Sequence, residues 1–221
     1  MRSGRAYVLT GGAGSGKTEC ALRFADAGLR VGERVAMVVH ASAAELSAHA
    51  GFLGVDLKRP LATGRLLVLR YRLDFFRRLA RAASPDEVID DLHHRILGHA
   101  PQRLVVDTFG PLLDDGSPSM RPAAALAELL EVSQCTALLT YPSELGASYD
   151  RRLEPLLQRA AGVLRLARTP RSGSQVEIVS LRDRTASLPE PLDSMLEVAR
   201  RPGRALDESL AGDLLDGREV R

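Results

Sequence analysis

A short glycine-rich segment near the start of the chain constrains its fold more than any other feature. Residues 11–18 read Gly-Gly-Ala-Gly-Ser-Gly-Lys-Thr and fit the pattern G-x-x-x-x-G-K-[ST]. Glycines let a backbone approach a phosphate group closely, and the N–H groups of such a loop point inward toward the anion. The pattern therefore predicts a phosphate-binding loop. The predicted nucleotide-contacting residues are Gly11, Gly12, Ala13, Gly14, Ser15, Gly16, Lys17, Thr18 and Glu19.

The lysine of this segment is chemically informative. Lys17 and Lys58 are the two lysines of the chain, which otherwise uses arginine for positive charge. A compact ammonium group fits between phosphate oxygens, where a planar guanidinium is a poor substitute. Thr18 supplies a hydroxyl for Mg²⁺, and the helix that follows adds its positive end.

The flanking sequence has the strand–loop–helix order that such a loop requires. Residues 6–10 form a short apolar run typical of a strand, and residues 18–27 have the pattern of a helix that ends near Gly28. A glycine-rich turn without a ligand is the alternative, and this context disfavours it.

The rest of the chain alternates between strand and helix patterns. Strands are predicted at 34–40, 65–70, 103–108 and 136–140, with a hairpin formed by 163–166 and 176–181 around 172–173. Helices are predicted at 43–52, 84–97 (ending at Gly98) and 122–132. This alternation predicts an α/β fold with a mainly parallel sheet and a ligand at the carboxyl ends of its strands.

Length and composition favour a single domain. The chain has 221 residues, 45% of them hydrophobic, and we expect one nucleotide-binding domain over 1–200 and a tail over 201–221. The net charge of +2 gives no argument for nucleic acid as a partner. We expect no membrane span and no signal peptide. Cys20 and Cys135 are interpreted as reduced core thiols, which indicates a cytoplasmic location.

A second candidate site residue lies in the fourth predicted strand. Asp107 comes directly after the aliphatic run Leu104-Val105-Val106. An acid at the end of a buried strand, downstream of a phosphate-binding loop, is predicted to hold Mg²⁺ together with Thr18. A capping aspartate is the alternative.

With these motifs in place, the chain resembles the RecA/KaiC-like P-loop ATPases from the loop to about residue 198. The resemblance is carried by an "E…L…LG.DL….G.L" segment over 45–66, by Asp107-Thr108, and by the strands at 136–140 and 175–184. It implies a P-loop NTPase fold, a RecA-like three-layer sandwich with a mainly parallel central sheet and an antiparallel carboxyl-terminal edge. It also implies ATP and Mg²⁺ as ligands and assembly into rings or dimers.

The chain departs from this family at two positions. His40 and Ala41 stand where active members carry a water-activating glutamate, which leaves neutral His40 as a candidate base and Glu45 a helical turn away. Ser180 replaces a lysine of the late strand, while Arg182 keeps the position of an arginine that reaches a neighbour's γ-phosphate. The phosphate-binding half of the site thus matches the family, and the hydrolytic half does not.

We therefore predict an ATP–Mg binding protein that acts as a nucleotide-dependent regulatory or assembly module with weak or absent hydrolysis. Its expected partners are nucleotide and either further copies of itself or a partner protein, with no membrane and nucleic acid not favoured. One alternative is an active ATPase of DNA recombination or repair, completed by His40 or a partner. The other is a P-loop kinase acting on a small molecule.

Four further segments allow two interpretations each. The basic and aromatic stretch 70–81 fits an amphipathic helix better than a nucleic-acid or docking surface. His93, His94 and His99 have poor spacing for a metal site and fit a solvated helix face. Tyr141 and Glu144 either line the nucleotide or an interface, or belong to a plain loop. Residues 207–216 form either a short acidic interaction helix or a frayed end.

Overall fold

A computed structural model describes residues 4–70, 93–110, 121–142, 153–169 and 173–181. The strands in this part of the chain are β1 Ala6–Thr10, β2 Val35–Val39, β3 Leu66–Arg70, β4 Arg103–Asp107, β5 Thr136–Tyr141, β6 Gly162–Thr169 and β7 Gly173–Leu181. The helices are α1 Lys17–Arg30, α2 Ala43–Phe52, α3 Lys58–Ala62, α4 at 93–99, α5 Arg121–Ser133 and α6 Glu154–Arg159.

The strands form one sheet in the order β3-β2-β4-β5-β1-β6-β7. Every neighbouring pair is parallel except β6 and β7, which are antiparallel and close the edge of the sheet. The predicted α/β fold with a mainly parallel sheet is therefore confirmed. Since β5 lies between β1 and β4, a single strand separates the end of β1 from Asp107.

Helices cover both faces of the sheet, which explains why its central strands are almost continuously apolar. Alternate side chains of each strand point to opposite faces. One face, which includes Leu9, Met37, Val105 and Leu138, packs against α1, α2 and the segment around α3. The other face, which includes Val8, Val38, Val106 and Leu139, packs against α4, α5 and α6. The result is a three-layer sandwich.

Arg103, at the start of β4, contacts the second half of α1. Arg103 donates a hydrogen bond from Nη1 to the carbonyl oxygen of Phe24 at 3.0 Å and pairs with Glu33. Its guanidinium also lies over the Phe24 ring, 4.9 Å from the centroid. A Cβ on Gly28 would come within 2.6 Å of Arg103 Cδ, so the glycine makes room for this side chain.

Two predicted helix ends are wrong, and both errors came from treating a glycine as a stop signal. Helix α1 passes through Gly28 to Arg30, because Gly28 is needed for close packing against Arg103 rather than for a left-handed turn. Helix α4 likewise passes through Gly98. The positive φ of 48° falls on Ala100, whose N–H bonds to the carbonyl oxygen of Leu97 at 2.9 Å.

The strand predictions agree with the structure to within a few residues, and the short helices were missed. Helix α2 occupies the predicted residues 43–52, and the antiparallel β6–β7 pair confirms the predicted hairpin strands. Helices α3 and α6 have five and six residues, too few to show a helical period in sequence. The turn was predicted around 172–173, but Gly173 already begins β7. Outside the described residues lie 71–92, Glu144, Ser172, Arg182 and the tail from 201.

Among the helices that the structure describes, none has the length and apolar character required to cross a membrane.

Two alanine substitutions distinguish a glycine that lies inside a helix from a glycine that is needed for its positive φ. Gly98 lies within α4 and Gly54 has a φ of 67°, yet neither would bring a new Cβ within 4 Å of a neighbouring atom. We expect Gly98→Ala to raise the free energy of unfolding by up to about 1 kcal/mol through helix propensity. We expect Gly54→Ala to lower it by about 1 kcal/mol, since alanine is strained at positive φ. Urea denaturation measures both, and a loss of stability in Gly98→Ala would contradict the extent of α4.

Candidate functional site

The predicted phosphate-binding loop connects β1 to α1 at the carboxyl edge of the sheet. Gly14 has a φ of 70° and Gly16 a φ of 98°, conformations that side chains with a Cβ rarely adopt. Gly16 is the N-cap of α1 and has no side chain to make a capping hydrogen bond. The N-cap residue therefore does not compete with an anion for the first N–H groups of α1.

The first glycine of the loop is required by close backbone approach. A Cβ on Gly11 would come within 2.6 Å of the carbonyl oxygen of Leu166 in β6 and within 2.7 Å of Ser15 Oγ. The loop thus folds back on itself and against the neighbouring strand. Ser15 is buried, whereas Ala13 and Gly14 are exposed at the tip.

The side chain of Lys17 folds back over the phosphate-binding loop. Its Nζ donates hydrogen bonds to the carbonyl oxygens of Gly11 at 2.7 Å and Gly12 at 2.6 Å, and to Ser15 Oγ at 3.4 Å. Burial lowers the pKa of Lys17, and the negative charge of Asp107 acts in the opposite direction. The ammonium group is thus partly desolvated, and two carbonyl oxygens and one hydroxyl oxygen surround it. Phosphate oxygens would give it stronger, charge-assisted partners.

The remaining loop residues lie on the first turn of α1. Thr18 and Glu19 are both partly exposed there. The carboxylate of Glu19 accepts a hydrogen bond at 3.4 Å from Arg23, one turn along the helix. The hydroxyl of Thr18 sits at the helix start, where a cation bound to phosphate would need an oxygen ligand.

Asp107 ends β4 on the face of the sheet that α1 covers. Its side chain is only 7% exposed. Thr140 donates a hydrogen bond from Oγ1 to Asp107 Oδ1 at 2.6 Å. Among the residues of this site, Thr140 is the one that sequence reasoning placed on a strand and gave no role. A polar residue directly after the apolar run 137–139 was the available signal, but its partner depends on the strand order.

The end of β2 lies next to Asp107 and carries no free carboxylate. His40 follows β2, is exposed, and donates its backbone N–H to the carbonyl oxygen of Asp107 at 3.4 Å. The carboxylate of Glu45 accepts the Ser42 N–H at 2.7 Å, and the Glu45 N–H donates to Ser42 Oγ at 3.2 Å. This capping box starts α2, and its hydrogen bonds from the Ser42 backbone and side chain lower the pKa of Glu45.

Two other candidates are placed by the strands around the loop. Tyr141 ends β5 opposite Thr10 of β1, and its ring packs on Phe109 with centroids 5.1 Å apart. Tyr141 therefore lies beside the last residue of the strand that leads into the loop. Ser180 lies in β7 opposite Val163. Arg182 falls outside the described residues.

The histidines give no sign of a metal centre. His99 Nε2 lies 3.1 Å from the carbonyl oxygen of Val35, a contact within the fold. No group of three or more His, Cys, Asp or Glu residues in the described segments is placed to hold a metal ion.

The described residues fit a magnesium–nucleotide. The loop offers the N–H groups at the start of α1 and a partly desolvated ammonium for phosphate. Thr18 and Asp107 offer the oxygen ligands that Mg²⁺ prefers. These features lie at the carboxyl ends of parallel strands, where open α/β sheets bind ligands.

Comparison with known proteins agrees with this arrangement. Among solved structures, a KaiC-like protein from the hyperthermophilic archaeon Pyrococcus horikoshii OT3 matches with a TM-score of 0.65. The match has 22% sequence identity and covers 85% of this chain and 83% of that chain, a likeness that shows the fold. A search of curated proteins gave no match. The KaiC ATPase family model matches residues 1–188. The chain belongs to the KaiC family of ATPases, as the resemblance of its motifs predicted.

Proposed function

We propose that this protein binds ATP with Mg²⁺ and acts as a nucleotide-dependent regulatory or assembly module that hydrolyses ATP weakly or not at all. The observation that carries the proposal is the contrast between two parts of the same sheet edge, the end of β1 and the end of β2. The loop after β1 keeps every group needed to hold phosphate, whereas His40 follows β2 where the family carries its glutamate.

The binding half rests on Lys17 and the start of α1. The Nζ atom exchanges its bonds to the carbonyl oxygens of Gly11 and Gly12 for bonds to phosphate. The N–H groups of the first turn of α1 and the helix dipole stabilise the same negative charge. Thr18 and Asp107 are the residues that would hold Mg²⁺, which when bound neutralises phosphate charge.

The hydrolytic half lacks a carboxylate to orient and deprotonate water. Glu45 is the nearest acid that follows β2, and the capping box at the start of α2 already uses its carboxylate. His40 stands at the family's glutamate position, is exposed, and supplies no carboxylate. Losing a water-orienting group typically lowers the rate by orders of magnitude, while phosphate affinity changes little.

A domain that holds ATP without cleaving it responds to nucleotide by a shift between conformations or assembly states. Nucleotide stabilises whichever state binds it more tightly, by an amount fixed by the difference in affinity. We infer that the state selected by nucleotide is a complex with further copies of the chain or with a partner protein.

The free thiols of the chain, Cys20 and Cys135, support a cytoplasmic location.

The first test compares the two lysines of the chain. Lys17→Ala removes the ammonium group that closes the loop, whereas Lys58→Ala removes an exposed lysine at the start of α3. We expect the dissociation constant for Mg–ATP, measured by calorimetry, to rise about 10- to 100-fold in Lys17→Ala because a hydrogen-bonded charge is lost. Lys58→Ala should match the wild type.

Steady-state phosphate release on the same proteins decides between the candidate functions. Binding with little turnover supports the proposal. Rapid turnover that Lys17→Ala abolishes would contradict it, and stimulation by DNA would then favour the recombination ATPase. Transfer of phosphate to a small-molecule acceptor would favour the kinase.

A second test restores the missing carboxylate. We expect His40→Glu to raise the rate of ATP hydrolysis at least about tenfold, because general-base catalysis contributes factors of about a hundred or more where the geometry is right. His49→Glu places the same charge on an exposed position of α2 and serves as the control. An unchanged rate in His40→Glu, with Mg–ATP affinity intact, would show that weak hydrolysis has another cause than this residue.

A further inference from the structure

The central strand of the site carries a threonine between the phosphate-binding loop and the acid. Strand β5 lies between β1 and β4, and Thr140 stands opposite Leu9, two residues before the loop begins. On the other side, Leu139 stands opposite Val106, so Thr140 and Asp107 are the next residues along their two strands. Both side chains point to the face that α1 covers.

Thr140 holds the end of β4 by three hydrogen bonds. Its Oγ1 donates to Asp107 Oδ1 at 2.6 Å. Its carbonyl oxygen accepts from Thr108 Oγ1 at 2.8 Å and from the Phe109 N–H at 3.0 Å. Three consecutive residues of the β4 end are thus fixed by one residue of β5.

The bond to Asp107 is buried and charge-assisted. Thr140 is 0% exposed and Asp107 is 7% exposed, so water cannot easily replace the hydroxyl. A hydroxyl has a single proton to donate, and here it goes to one carboxylate oxygen. The bond therefore fixes the rotation of the carboxylate and leaves its second oxygen for another partner.

Other buried threonines of the sheet bond to backbone instead. Thr10 Oγ1 donates to the carbonyl oxygen of Leu164 at 3.2 Å. Thr136, at the opposite end of β5, accepts the Gly4 N–H at 3.1 Å. In this group, Thr140 alone directs its hydroxyl to an acid of the candidate site.

We propose that Thr140 is a positioning residue whose hydroxyl orients Asp107 for Mg²⁺ and so sets how strongly the site binds magnesium–nucleotide. This inference rests on the proposed function, since it assumes that Asp107 serves the cation. A metal-binding carboxylate needs its orientation fixed by a second group, and removal of such a group typically costs 10- to 100-fold in metal affinity.

The test measures magnesium dependence rather than turnover. Binding of ADP and of a non-hydrolysable ATP analogue is measured by calorimetry in EDTA and over a series of Mg²⁺ concentrations. Thr140→Val keeps the shape and removes the hydroxyl, Thr140→Ser keeps the hydroxyl and removes a methyl group, and Thr136→Val removes a hydroxyl from the far end of β5.

We expect Thr140→Val to raise the Mg²⁺ concentration needed for half-maximal binding about tenfold, with affinity in EDTA within about twofold of the wild type. Thr140→Ser should resemble the wild type. Thr136→Val should lower stability to urea without a change in magnesium dependence. If Thr140→Val does not fold, Thr140→Cys replaces it, because a thiol is a weak donor of similar size.

Other outcomes would overturn the inference. An unchanged magnesium dependence in Thr140→Val, or an equal loss of affinity with and without Mg²⁺, would make Thr140 a structural residue. A defect in Thr140→Ser with a normal Thr140→Val would assign the role to packing of the methyl group. Absence of nucleotide binding by the wild-type protein would overturn the proposed function as well, which separates that failure from the others.

Discussion

The parallel pairing of β1, β5 and β4 is the constraint on which the candidate site depends. Parallel strands end at the same edge of a sheet, so the loop after β1 and the acid that ends β4 lie on one side of the molecule although about 90 residues separate them in sequence. The pairing requires that both faces be covered, and the two apolar clusters under the helices supply that cover. The core and the site are thus consequences of the same strand order.

Local signals were enough to predict the strands and the longer helices, but not the short helices α3 and α6. The strand before the loop, helix α2 and the buried strand that ends in Asp107 all follow from short-range patterns of apolar residues, caps and glycines. The phosphate-binding loop was predictable because backbone chemistry fixes its residues at consecutive positions. In the structure, the side chain of Ser42 caps the start of α2.

What sequence could not give was information held by contacts between distant segments. Gly28 looks like a helix stop until Arg103, 75 positions away, is seen to need its space. Thr140 looks like an ordinary strand residue until the strand order sets it beside Asp107. Glu45 is a different case, because its partner Ser42 is three residues away and the S-x-x-E spacing of a capping box is visible in the sequence. For Gly28 and Thr140, the role of the residue depends on a partner that is far away in the sequence.

The contact between Arg103 and α1 joins two parts of the candidate site on the side away from the ligand. Arg103 begins β4, and Asp107 ends the same strand. The guanidinium donates to the carbonyl oxygen of Phe24 and lies over its ring in the second half of α1, the helix that starts at the phosphate-binding loop. The helix behind the loop and the strand that carries the acid are therefore fastened to each other at the amino edge of the sheet. The position of Asp107 relative to the loop thus depends on this contact as well as on the pairing of the strands.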